Sequence, residues 1–174
     1  MLTIYTIDIK DSQLKHVTAH SHLRQVLAMS NIPERLTQSM KRTSGGKLKA
    51  GEYYINISYA DDYAFVMVTK RKFGIDAEKI KCKNHNVKLL LSKMLSMKLS
   101  SDLDFYKAWT AMESEVKYYG NKGLFDALMG NMEKNPDLQT IHIIYEGNMI
   151  AITSTNKNIE AQEVLFKKCK DETV

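Results

Sequence analysis

Asp76 and Glu78 stand two residues apart in Gly74-Ile75-Asp76-Ala77-Glu78. Glu113 and Lys117 stand four apart in a later segment, Trp109-Thr110-Ala111-Met112-Glu113-Ser114-Glu115-Val116-Lys117. In a strand, residues two apart project to the same side; in a helix, residues four apart share a face. Three carboxylates brought to one point repel each other unless a cation lies between them. Hard oxygen donors suit Mg²⁺, which keeps waters and substrate phosphates in its remaining positions. Asp76, Glu78 and Glu113 are the expected Mg²⁺ ligands, and Lys117 is placed to meet the remaining oxygens of a phosphate. The plainer alternatives are a solvated strand end for Asp76 and Glu78, and for Glu113 and Lys117 a surface helix pair worth about 0.3–0.5 kcal/mol.

The elements that must position these groups follow from periodicity. Leu2 to Asp8 alternates as a strand, and Leu23, Val26 and Leu27 recur at helical spacing within Ser21–Ala28. Lys41 to Lys47 reads as a polar loop. Tyr53–Tyr59 and Tyr63–Thr69, rich in aromatic and β-branched residues, flank Asp61-Asp62 as a hairpin. Phe73–Ala77 follows a basic turn and is expected to complete a meander that delivers the acidic pair to a sheet edge. Lys88–Leu99 reads as a helix. In the next helix Phe105, Trp109, Met112, Val116 and Tyr119 form the expected buried stripe, and Gly120 to Gly123 ends it. Leu124–Met132 is a candidate helical turn. Ile141–Tyr145 and Met149–Thr153 flank Glu146-Gly147-Asn148 as a second hairpin, and the Lys-rich segment from Glu160 reads as a helix that frays.

This order predicts an α+β fold with two halves, residues 1–70 (strand, helix, hairpin) and 71–174 (acidic strand, motif helix, hairpin), packed as one compact unit with a site at their junction. No internal repeat is visible. With 174 residues, 44% of them hydrophobic, the chain can bury a substantial core. Its formal charge of +5 is spread along the sequence and argues for an anionic ligand or acidic partner rather than a nucleic acid. No apolar run approaches the ~18 residues of a membrane span, and Cys82 and Cys169 are far apart, so a cytoplasmic protein with free thiols is expected. Gly45-Gly46-Lys47 lacks the upstream glycine and following Ser/Thr of a P-loop. His16, His20 and His22 lie in a polar turn without accompanying carboxylates and read as surface residues.

Taken in order, these blocks resemble the 4′-phosphopantetheinyl transferases, particularly the larger pseudo-dimeric type that modifies carrier domains. Gly46-Lys47 looks like the family's Gly-Lys-Pro block, Ile55-Asn56-Ile57-Ser58 like its Asn-x-Ser-His strand, and Gly74 to Glu78 like its Gly-Ile/Val-Asp-x-Glu strand. Phe105 to Trp109, continuing through Glu113, Lys117 and Gly123-Leu124, is similar to its Phe-x-x-x-Trp-x-x-Lys-Glu-x-x-x-Lys helix. The matched blocks span about residues 46 to 124. The resemblance implies a phosphopantetheinyl transferase-like fold of two similar α/β halves. It implies Mg²⁺ on Asp76, Glu78 and Glu113, and coenzyme A as donor, contacted by Lys47, Ser58 and Tyr59. Glu113 and Lys117 are then the catalytic pair, one accepting the proton of a carrier serine and the other neutralising the transferring phosphate. The implied partner is an acidic acyl or peptidyl carrier domain, and the implied assembly a monomer or weak homo-oligomer.

The chain departs from the family pattern at four positions. Tyr59 stands where histidine is common and Ala60 where a serine follows, Met112 where a lysine precedes the helix glutamate, and Leu48 where proline is usual. The early basic contacts to coenzyme A have Arg24 as their nearest candidate. A diverged, non-catalytic member that binds coenzyme A or a carrier domain is the alternative.

Overall fold

The computed structural model describes residues 2–10, 21–43, 47–132, 135–155 and 160–169. They form an α+β architecture with two sheets and five α-helices. The chain divides into two units. One holds the residues up to Lys72 together with the C-terminal segment, and the other begins at Phe73 and includes both strands of the second hairpin.

The first unit is built on a six-stranded sheet in the order β2-β3-β4-β5-β1-β9. Its strands are β1 (Leu2–Asp8), β2 (Lys41–Arg42), β3 (Leu48–Ala50), β4 (Tyr53–Ala60), β5 (Tyr63–Thr69) and β9 (Val164–Lys168). Every pairing is antiparallel except β1 with β9. Alternation in β4 and β5 sets the core: Ile55 pairs with Val68, Ile57 with Val66 and Tyr59 with Ala64. These residues share a face with Tyr5 and Ile7 of β1, and pack with Leu23, Val26 and Leu27 of helix α1 (Leu23–Met29). A short helix, α2 (Glu34–Gln38), follows.

Three sequence expectations change here. The presumed loop at residues 41–47 starts with β2, which pairs with β3. The segment after Glu160 makes one 3₁₀ turn, Ala161–Glu163, and then a strand rather than a helix. The presumed third strand of the meander also leaves this sheet: β6 (Phe73–Lys79) pairs with β8, so the acidic pair belongs to the second unit.

The second unit is a three-stranded antiparallel sheet in the order β6-β8-β7, with β7 at Gln139–Tyr145 and β8 at Asn148–Ser154. Helices α3 (His85–Met94), α4 (Asp102–Tyr119) and α5 (Leu124–Leu128) accompany it. Helix α3 starts at the Asn84 cap, whose side chain accepts from Asn86 N, and ends earlier than the apolar pattern alone predicts, at Met94. Helix α4 is fixed at both ends. Ser101 and Asp104 form a reciprocal capping box, and Gly120 at φ 76° closes it in the left-handed conformation that glycine tolerates.

The face by which α4 meets the sheet is not the expected stripe. Phe105 and Met112 are buried, but the other buried positions are Tyr106, Thr110, Ser114 and Tyr118. Ser114 sits on a cross-strand row, Gly74–Thr153–Thr140, in which its hydroxyl lies 2.6 Å from Thr153 Oγ1 and the latter 2.8 Å from Thr140 Oγ1. Small and hydroxyl side chains thus let the helix lie close on the strands. Away from this row, Phe105, Tyr106, Met112, Leu91 and Met149 form an apolar cluster with Ile80, Trp109 and Leu124 against it.

Candidate functional site

Gly74, Asp76 and Glu78 alternate onto one side of β6. Helix α4 covers that side and runs antiparallel to the strand, with Ser114 and Tyr118 over Gly74, then Lys117 and Glu113 beside the acidic pair. The four side chains singled out from the sequence are therefore brought together within the second unit. Asp76 is 2% exposed, and its Oδ1 accepts a 2.7 Å hydrogen bond from Lys117 Nζ. This charge-assisted contact ties α4 to β6. The cation expected on a phosphate is engaged by a carboxylate instead.

Glu113 is pushed up to about 7 by burial and by the negative charge of Asp76; Lys117 and the Trp109 indole oppose the rise, and Glu78 adds to it. Glu78 is raised by the same two leading causes, burial and then Asp76, against Lys83, Trp109 and Lys117. Asp76 thus acts on both glutamates and Glu78 on Glu113, as neighbouring negative charges do. Trp109 is more than core filling: its indole opposes the rise of both Glu78 and Glu113, while its ring stacks on Phe105 with centroids 6.1 Å apart.

Among the described residues no three acidic, histidine or cysteine side chains stand in a ready-made metal shell. The chemistry of the donor set nonetheless fits a hard divalent cation, because the carboxylates offer only oxygen and the charge of Asp76 disfavours ionisation of both glutamates. Asp76, Glu78 and Glu113 are the residues that would hold it.

The residues expected to contact coenzyme A lie in the first unit and do not make one constellation. Lys47 is buried, its backbone N–H donating to Thr43 Oγ1. Ser58 and Tyr59 are neighbours on β4 and so face opposite sides of the sheet, Tyr59 packing with the α1 core. Through side chains, no more than one of the two can meet the same ligand face. Burial raises the Tyr59 phenol, with Arg42 opposing. Gly46, His16 and His20 lie outside the described residues.

Met112 belongs to the apolar cluster, so position 112 brings no charge to the carboxylates. Sequence reasoning missed Lys83, which acts on Glu78 from the segment after β6, and whose ammonium lies over the rings of Phe105 and Tyr106. The run of alternating lysines at 79, 81 and 83 was its one visible signal. The roles of Gly74 and Ser114 were missed as well, although a glycine on the same parity as Asp76 and a hydroxyl residue one turn after Thr110 are both legible.

No helix among the described residues is long and apolar enough to cross a membrane. The chain matches no protein-family profile, and no curated protein is similar to it at a significant level.

Proposed function

We propose that this chain is a Mg²⁺-dependent 4′-phosphopantetheinyl transferase of the pseudo-dimeric type. It would act in the cytoplasm, moving phosphopantetheine from coenzyme A to a serine of an acidic acyl or peptidyl carrier domain. The observation that carries this is the meeting of Asp76, Glu78, Glu113 and Lys117 on one face of β6 and α4, with the charge of Asp76 acting on both glutamates.

A Mg²⁺ ion in this site would neutralise charge on the diphosphate of coenzyme A. Lys117 brings a further positive charge to the transferring phosphoryl group. Glu113, whose carboxyl exchanges protons near neutral pH, accepts the proton of the serine hydroxyl. The serine oxygen forms its bond to the β-phosphorus as the bond from that phosphorus to the bridging oxygen breaks, and 3′,5′-ADP leaves. No covalent protein intermediate is needed.

The alternative, a non-catalytic member that binds coenzyme A or a carrier domain, draws support from Lys117 being held by Asp76 and from Met112 lying in the core. The deciding experiment incubates the protein with coenzyme A, Mg²⁺ and a panel of apo-carrier domains and reads the phosphopantetheine mass increment. Transfer that disappears in Asp76→Ala and Glu113→Ala supports the enzyme. Coenzyme A binding by calorimetry with no increment on any carrier favours the binding module, and transfer that survives both substitutions rejects the site.

A further inference from the structure

We propose that Lys83 is a second phosphate-binding cation of this site, serving the substrate phosphate at the Glu78 end while Lys117 serves the Asp76 end. This rests on the function proposed above and names a residue that neither the motifs nor the resemblance assigns. Its basis is the way the lysine is held. Lys83 N–H donates to Asp102 Oδ1 at 3.1 Å, and the same oxygen takes Lys88 Nζ at 2.9 Å, so the segment after β6 is pinned to the first turn of α4.

The ammonium then lies 5.5 Å from the Phe105 ring centroid and 5.4 Å from that of Tyr106, within cation–π range. Among the described residues it makes no ion pair with a carboxylate. Lys83 is thus a positioned cation whose charge is not consumed by a direct partner. Phe105 stacks on Trp109, and Trp109 acts on both Glu78 and Glu113, so one row of neighbouring side chains links Lys83 to the acidic centre.

The order along β6 fixes the roles. Asp76, with Lys117, and Glu78, with Lys83 acting on it, are two residues apart, about 6.5 Å along a strand. Cations at the two ends of an acidic row suit a ligand with two linked phosphates better than a single phosphate. They also supply what position 112 cannot, since Met112 is turned into the apolar cluster.

The test compares the wild type with Lys83→Met, which keeps an apolar stem on the rings, and Lys83→Arg, which keeps the charge. Lys81→Met is an exposed control. Coenzyme A affinity in Mg²⁺ is measured by calorimetry, and affinity for Mg²⁺ alone by Trp109 fluorescence. Lys83→Met should weaken coenzyme A binding by about tenfold or more, the loss of a charge-assisted hydrogen bond. It should bind Mg²⁺ alone as tightly or about twofold more tightly, because a repelling charge is gone. Lys83→Arg should stay within about threefold of wild type for both, and Lys81→Met should change neither.

A merely structural role would weaken both ligands together, and that result overturns the assignment. So does unchanged coenzyme A affinity in Lys83→Met. If Lys83→Met does not fold, Lys83→Gln is read against the same criteria. A wild type that binds Mg²⁺ but no coenzyme A overturns the proposed function and this assignment with it. A wild type that binds coenzyme A while Lys83→Met does so equally removes Lys83 alone.

Discussion

The carbonyl oxygen of Ser114 lies 1.8 Å from where a Cβ on Gly74 would stand, and Tyr118 N lies 2.6 Å from it. The backbone of α4 therefore rests on the backbone of β6 at the residue that opens the acidic motif. Neither obstructing atom belongs to a flexible side chain, so an added methyl must displace the helix that carries Glu113 and Lys117. Gly74→Ala is expected to cost about 3 kcal/mol or more. A fall in denaturant midpoint, accompanied by loss of Mg²⁺ binding, would show it; a variant as stable as the wild type would contradict the close approach.

The raised carboxyl of Glu113 makes stability depend on pH in a stated direction. Its folded pKa of about 7 exceeds the ordinary 4.5, so between these values the folded state holds more protons than the unfolded one. Stability from this group is complete below about pH 4.5 and is lost as pH rises through 7. Glu113→Gln should gain on the wild type at pH 8, on the order of 1–2 kcal/mol after allowing for partial exposure, and gain nothing at pH 4.5. Chemical denaturation at the two pH values measures the difference. A gain confined to low pH would reverse the sign and reject the environment described for Glu113.

Restoring a lysine at position 112 should harm the protein rather than improve it. Met112 is 7% exposed among Leu91, Phe105, Tyr106 and Met149, so an ammonium there is desolvated with no partner in that cluster. Met112→Lys is expected to lose about 3 kcal/mol of stability with no gain in coenzyme A affinity. Thermal unfolding and calorimetry read the two quantities separately.

Trp109 is the single tryptophan in the sequence and acts on two of the three proposed ligands. Mg²⁺ binding by Glu78 and Glu113 should alter its emission saturably, while Ca²⁺ and Na⁺ at equal ionic strength give a weaker or no response. Glu78→Gln should reduce the response at least tenfold, in line with the loss of one charged ligand. Emission that ignores Mg²⁺ at millimolar concentration would remove the metal from the site.

Much of the site was legible because it depends on short periods. Two residues on a strand and four on a helix are enough to align Asp76 with Glu78 and Glu113 with Lys117, whatever the rest of the chain does. The packing face of α4 was harder. Thr110 and Ser114 meet the sheet through closeness and hydroxyl contacts, and an apolar stripe drawn through Trp109 and Val116 gives such residues no weight. The same limitation hid the move of β6 to a second sheet: Phe73–Lys79 alternates equally well beside β5 or β8, and only its partner decides. Val164–Lys168 is five residues with two terminal lysines, too short and too polar at its end to announce a strand whose partner lies near the start of the chain.

That last strand carries a consequence for synthesis. Thr6 and Lys167 are 161 residues apart, yet the Thr6 hydroxyl donates to the Lys167 carbonyl across the β1–β9 pair. A ribosome delivers β6, α4 and β8 before β9, so the acidic centre can be assembled while the earlier sheet still waits for its final strand. Closing so long a span carries a loop-entropy cost that makes it a late event. Chains halted after Ser154 should accordingly show a protected β6–β8 ladder by hydrogen exchange and an unprotected edge on β1, and protection of both would show that the earlier sheet does not wait.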